Sequence, residues 1–176
     1  DETIIKVAEQ DCRLKVPFKR PAELATDTAG TYEVLMHAIE HYEKQGRSYK
    51  TLILLQPTSP LRTDADLKGA LDLYLNSEDP DMVVSVKAAK GNPYFTLFEE
   101  DSDGYLRPSK KAQFTGRQDI PKVYEYNGAI YVINIATLRK KRMQEFTRIR
   151  KYIMNDLHSI DIDTELDFEI AEFLMK

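Results

Sequence analysis

Two aspartates flanking a single residue, Asp161 and Asp163 around Ile162, are the pair in this chain best suited to hold a hard cation. In an extended backbone alternate side chains share a face, so both carboxylates would project one way while Ile162 points the other. Mg2+ takes few protein oxygens and keeps waters or substrate phosphates in its remaining positions, so two carboxylates beside a nucleotide are sufficient. The pair also precedes a helical pattern, and the alternative is that Asp163 or Thr164 caps that helix while the neighbouring acids face its positive end. Arg117, before Gln118 and Asp119, could offer a planar fork to a carboxylate, or be one more solvated cation. Arg20 before Pro21 has the same two readings, and Asn127-Gly128 is a turn or bulge signal. No serine, cysteine or histidine arrangement suggests acyl transfer. His37 and His41 lie one helical turn apart, but Ala38 stands where a zinc protease would need glutamate.

The stretch that must position these groups runs from Thr51 to Arg62. Its apolar run Leu52 to Leu55 predicts a central strand covered on both faces, and Pro57 and Pro60 end it. Gln56, Thr58 and Ser59 are thereby displayed at the carboxyl end of a strand, where open α/β sheets bind ligands. The alternative is a plain strand-to-helix connection with Thr63 or Asp64 as the cap.

The other elements alternate around it. A helix is predicted over Asp1 to Cys12, a short strand over Lys15 to Phe18, and a long helix capped by Asp27 or Thr28 and ended by Gly46. After the central strand come a helix with Leu67, Ala70, Leu71, Tyr74 and Leu75, and a strand over Met82 to Val86. From 88 to 125 the alternation gives way to an antiparallel arm with turns at Gly91-Asn92-Pro93 and Ser102-Asp103-Gly104. A strand over Tyr126 to Asn134, a helix to about Thr147, a strand over Lys151 to Met154 and a last helix with core positions Leu166, Ile170, Phe173 and Leu174 complete the pattern.

At 176 residues, 42% hydrophobic and 31% charged, the chain has the size of one domain. A formal net charge of -4 argues against a nucleic-acid surface, and the basic run Arg139 to Arg142 reads as a solvated helix face. The single Cys12 excludes an internal disulfide and, with three scattered histidines, offers no zinc cluster, which suits a reducing cytoplasm. No apolar stretch approaches the ~18 residues of a membrane span, and no signal-peptide layout is present.

Four segments, taken together and in order, carry a resemblance: RPAELATDTAGT (Arg20 to Thr31), LLQPTSPLR (Leu54 to Arg62), GRQDIPKVYEYNGAIYVIN (Gly116 to Asn134) and SIDIDTELDFEIAE (Ser159 to Glu172). They resemble the N-acylneuraminate cytidylyltransferases, which make CMP-activated sialic acids, and their legionaminate relatives. The resemblance implies a three-layer, doubly wound, Rossmann-like α/β domain with a mostly parallel sheet, whose arm packs in a homodimer and reaches the partner's site. It implies Mg2+-dependent transfer of CMP from CTP to a nine-carbon 2-keto-3-deoxy sugar acid, with release of pyrophosphate. By position, Arg20, Ala29 and Thr31 would line the cytidine site, Gln56, Arg117 and Tyr131 would contact the sugar acid, and Asp161 and Asp163 would hold the metal. Such a transfer needs positioning and charge neutralisation rather than a covalent nucleophile.

The family also opens with a strand and a glycine- and basic-rich loop that cradles the triphosphate, and nothing here matches it: no glycine precedes Gly30. The chain is therefore expected to be one nucleotidyltransferase domain over 1–176, incomplete at its N-terminus and inactive alone. Asn92-Pro93-Tyr94-Phe95 leaves the sugar open between N-acetylneuraminate, legionaminate and other 2-keto-3-deoxy acids. A non-catalytic nucleotide-sugar-binding module on the same fold is the alternative of a different class.

Overall fold

The apolar runs predicted to be strands pair into one sheet. The computed structural model describes residues 2–26, 29–111, 114 and 117–176, with the Arg117 side chain outside the description. These fall into two compact units, Asp1–Tyr49 and Lys50–Lys176.

In the first unit α1 (Glu2–Ala8) buries none of its side chains. The strand expected over Lys15 to Phe18 does not form, since among the described residues of this unit no other strand offers it a ladder; that segment is irregular, and a 3-10 turn, Ala22–Leu24, follows. The long helix α2 (Thr31–Lys44) begins after Gly30, not at Asp27 or Thr28, which lie outside the described residues. It ends as predicted at Gly46, whose φ of 75° carries the chain out of the helix while its N–H bonds the Glu43 carbonyl. Leu35 and Ile39 are buried. The Phe18 ring lies 5.1 Å from His37 and 4.4 Å from His41, so both histidines are in aromatic packing.

In the second unit β1 (Thr51–Leu55), β2 (Met82–Ala88), β5 (Tyr124–Asn134) and β6 (Ile149–Ile153) form a sheet in the order β1-β5-β2-β6. β1, β2 and β6 run in one direction; β5 lies between β1 and β2, antiparallel to both. The sheet is mixed, and two of its three pairings are antiparallel where a mostly parallel sheet was expected. The chain leaves β2 into the arm and comes back alongside it, so the returning strand is inserted with reversed direction. This also moves β1 from the centre to the edge. Ile53 and Leu55 are 40% and 37% exposed, while β2 and β5 carry the doubly buried side chains Val83, Val84, Ile130 and Val132.

Helix α3 (Asp64–Leu75) packs Ala70 and Tyr74 against Val83, Ile130, Val132 and Met154. Burying such side chains contributes roughly 1.5–3 kcal/mol each. The arm holds a two-stranded hairpin, β3 (Phe98–Glu100) with β4 (Leu106–Pro108), antiparallel as predicted. Its turn is fixed by Asp101, whose carboxylate accepts from the Asp103 and Tyr105 N–H groups and from Arg107 Nε, with Gly104 at φ 83°.

Two helical expectations are corrected. The helix after Asn134 is a single turn, α4 (Ile135–Leu138), followed by a 3-10 turn Met143–Glu145, and Arg139 to Arg142 join the two rather than lining a helix face. Ile135, Leu138 and Phe146 are all buried, but the chain reaches Phe146 through the turn Met143–Glu145, and like charges one turn apart at Arg139 and Arg142 would disfavour a continued helix. The last helix, α5 (Glu165–Leu174), buries Ala171 alone among its residues. Its predicted core positions are exposed, Leu166 to 64% and Phe173 to 76%. No helix among the described residues is long and apolar enough to cross a membrane.

Candidate active site

The loop after β1 is folded by its own arginine. Arg62 Nη1 donates to the Gln56 carbonyl at 2.6 Å and to the Ser59 carbonyl at 2.7 Å, drawing the two ends of the Gln56-Pro57-Thr58-Ser59 turn together. Burial lowers the Arg62 pKa, while the guanidinium keeps its proton. Thr63 then caps α3: its hydroxyl accepts from Asp66 N, and Asp66 Oδ2 accepts from the Thr63 N–H at 2.9 Å.

Opposite this loop, β5 bends at Asn127-Gly128, where its register with β2 shifts between Val84 and Val86. A buried polar network satisfies the bend. Ser85 Oγ donates to Asn127 Oδ1 at 2.6 Å and accepts from Ile130 N, and Asn127 Nδ2 donates to Ser159 Oγ at 2.9 Å. Ser59, fully buried, directs its hydroxyl at the Asn127 carbonyl (3.4 Å) and at Asp161 Oδ1 (3.3 Å). Gly128 sits at φ 74°, and a Cβ there would come within 3.1 Å of Asp161 Oδ2. The backbone of the aspartate segment is tied to the same loop, since Ile162 N donates to the Thr58 carbonyl at 2.9 Å.

Three elements therefore converge on Asp161: the loop after β1, the β5 bend and the segment before α5. Tyr131 stands opposite Leu54 in the β1–β5 register. Burial, and then the charges of Tyr126 and Asp161, push its phenol above the ordinary value, which puts Tyr131 within electrostatic reach of Asp161. Asp163 is exposed, and capping of α5 falls to Thr164, whose hydroxyl accepts from Asp167 N. The cap alternative thus applies to Thr164, and the Asp163 carboxylate is not the one that caps.

Gln56 is half-buried, with its carbonyl engaged by Arg62. Arg117 opens a 3-10 turn, Arg117–Asp119. Arg20 and Thr31 are exposed in the first unit, where Ala29 N donates to the Thr26 carbonyl. Ser59, expected to be displayed with Gln56 and Thr58 at the strand's end, is instead fully buried against Asp161. The roles of Arg62, Ser85 and Ser159 were not foreseen, although Arg62, six residues after Gln56, could have been read as a loop clamp.

Among the described residues no group of three or more His, Cys, Asp or Glu side chains gathers into a metal cage. Two carboxylates alone suit Mg2+, which is bound through one or two carboxylates with waters or phosphates completing its shell. Asp161 and Asp163 supply the carboxylate oxygens that such an ion takes, Asp161 half-buried beside Ser59 and Asp163 exposed. A separate cavity of ≈ 600 Å³ opens at the root of the arm between Lys90, Phe95, Pro121 and Tyr124, and includes none of these residues.

No family model matches the chain. It is 36% identical over 163 residues to the post-translational flagellin modification protein B of Campylobacter coli, covering 92% of this chain and 68% of that protein. It is 32% identical over 176 residues to the CMP-N,N'-diacetyllegionaminic acid synthase of Campylobacter jejuni, covering 99% of this chain and 74% of the synthase. The N-acylneuraminate cytidylyltransferase of Streptococcus agalactiae serotype V is 35% identical over 157 residues, which is 88% of this chain but 36% of that enzyme. The chain belongs to the N-acylneuraminate cytidylyltransferase family, together with its CMP-legionaminic acid synthase relatives.

Proposed function

We infer that this protein is a cytidylyltransferase that transfers CMP from CTP to a nine-carbon 2-keto-3-deoxy sugar acid. The anomeric hydroxyl of the sugar attacks the α-phosphorus, the bond to the β-phosphate breaks, and pyrophosphate leaves. The observation that carries the reading is the convergence of loop 56–59, the β5 bend and segment 159–163 on Asp161, within a chain whose relatives are named for this chemistry. A bound Mg2+ at Asp161 and Asp163 would neutralise phosphate charge. Arg20, Ala29 and Thr31 are assigned to the cytidine, and Gln56, Arg117 and Tyr131 to the sugar acid.

The relatives are named for N-acylneuraminate, legionaminic acid and pseudaminic acid alike, so the assignment is to this class of sugar acid as a whole. We assign the hairpin β3–β4 to a homodimer contact, supported by the apolar side chains it leaves exposed, Phe98, Tyr105 and Leu106 among them.

The test is product identification. The chain, joined ahead of Asp1 to the family's opening strand and phosphate loop, is incubated with CTP, Mg2+ and a panel of N-acetylneuraminate, N,N'-diacetyllegionaminate and pseudaminate. A CMP-sugar formed with one or more of these acids supports the reading and identifies the sugar, and no product with any acid would favour a nucleotide-sugar-binding module.

A further inference from the structure

The two longer helices of the second unit, α3 and α5, open with the same capping box, threonine followed three residues later by aspartate, yet only one has a histidine against it. Thr164 and Asp167 close the box on α5 in the open. At α3 the aspartate is buried: Asp66 is 7% exposed, and its Oδ2 accepts from Thr63 N and from Thr63 Oγ1 at 2.6 Å. His158 Nδ1 lies 2.8 Å from that same oxygen. A cap needs no histidine, as α5 demonstrates, so the imidazole has another task.

His158 is three residues before Asp161, in the 3-10 turn Leu157–Ser159. That turn is built by Asn155, whose Oδ1 accepts from His158 N and whose carbonyl accepts from Ser159 Oγ. The contact to Asp66 closes a ring of backbone. From Ser59 the chain runs through Arg62 and Thr63 to Asp66, crosses to His158, and continues to Asp161 and Ile162, which bond back to Ser59 and Thr58. With the ring closed, segment 158–162 is held at both ends against the loop after β1. With it open, segment 158–162 keeps the Asn127–Ser159 bond but loses its link to α3, and restoring the fixed geometry costs conformational entropy.

We propose that His158, through Asp66, is a positioning residue that sets Asp161 against the loop after β1. The inference rests on the reading of Asp161 as a metal ligand, and two independent readouts separate the two ideas.

The first readout is hydrogen exchange at the Ile162 amide, which donates to Thr58 and requires no metal. His158→Gln and Asp66→Asn should each speed exchange there by about tenfold, after the change at the central amides of Val83 and Val132 is subtracted. The double variant should be no faster than the singles, because both break one contact. His158→Asn, which keeps a nitrogen donor on the branch of Nδ1, should fall between wild type and Gln and is the fallback if another variant fails to fold. The second readout is Mn2+ affinity by titration, expected to weaken several-fold in His158→Gln and to be lost in Asp161→Asn. Unchanged exchange at Ile162, or additive effects in the double variant, would overturn the tether. Undiminished Mn2+ binding by Asp161→Asn would overturn the metal reading alone and leave the tether to the exchange data.

Discussion

Gly128 shows how closely the residues around Asp161 are fitted. Its φ of 74° would be strained for any side chain, and the space a Cβ would take is already bounded by Asp161 Oδ2. Gly128→Ala should destabilise the protein by about 1–2 kcal/mol in urea unfolding, from the left-handed backbone alone. It should also weaken Mn2+ binding, because the carboxylate must give way. Tyr131 offers a spectroscopic view of the same charge. Since Asp161 helps to hold the Tyr131 phenol above its ordinary pKa, Asp161→Asn should bring that ionisation to lower pH in an ultraviolet titration. A curve identical to wild type would separate the two residues. The aspartate pair and the Asn127-Gly128 bend could be read from residue types and spacing. The buried contacts of Ser59, Ser85 and Ser159 could not, because they exist only once strands distant in sequence lie side by side.

At the scale of elements, the opposite end of the sheet is held by one carboxylate. Burial would raise the Asp81 pKa, but the backbone N–H groups of Arg148 and Thr147, with Lys141, outweigh it and hold the acid below its ordinary value. A lowered folded-state pKa stabilises the fold above the unfolded carboxylate range and loses that contribution as pH falls through the folded value. The urea midpoint should therefore drop as pH falls below the ordinary carboxylate range, about pH 4, and Asp81→Asn should flatten that drop. Asp81→Ala should cost about 1.5–3 kcal/mol at neutral pH, since two amides joining α4 to β6 lose their acceptor. The strands were legible because short apolar runs bounded by turn residues have few other solutions. Their order was not: the run Leu52 to Leu55 looks as buried as Val83 to Val86, and pairing alone decides that β1 lies at the edge. Helix stripes misled at α5, where the apolar spacing is right and the side chains are exposed. Periodicity reports that a face is apolar without saying what covers it.

For the whole molecule, the arm and the chemistry are coupled claims. If the hairpin β3–β4 forms a dimer contact, Leu106→Glu, at a side chain 66% exposed, should leave the melting temperature of the monomer fold nearly unchanged and shift sedimentation toward the monomer. The sugar-acid reading turns on Arg117. A carboxylate desolvated beside a triphosphate needs a fixed cation, and losing a charge-assisted fork costs about 1.5–3 kcal/mol, or roughly one to two decades in sugar affinity. Arg117→Ala should show that loss with CTP affinity nearly unchanged, and Arg117→Lys should recover only part of it. Equal losses for CTP and sugar would place Arg117 with the nucleotide. The most direct test is Mg2+-dependent pyrophosphate release from CTP and sugar acid, measured on the chain carrying the family's phosphate loop and on its Asp161→Asn variant. Release should require all three components and fall by at least about a hundredfold in Asp161→Asn, with an unchanged melting temperature. Release at the wild-type rate from Asp161→Asn would contradict a metal-binding role for this carboxylate.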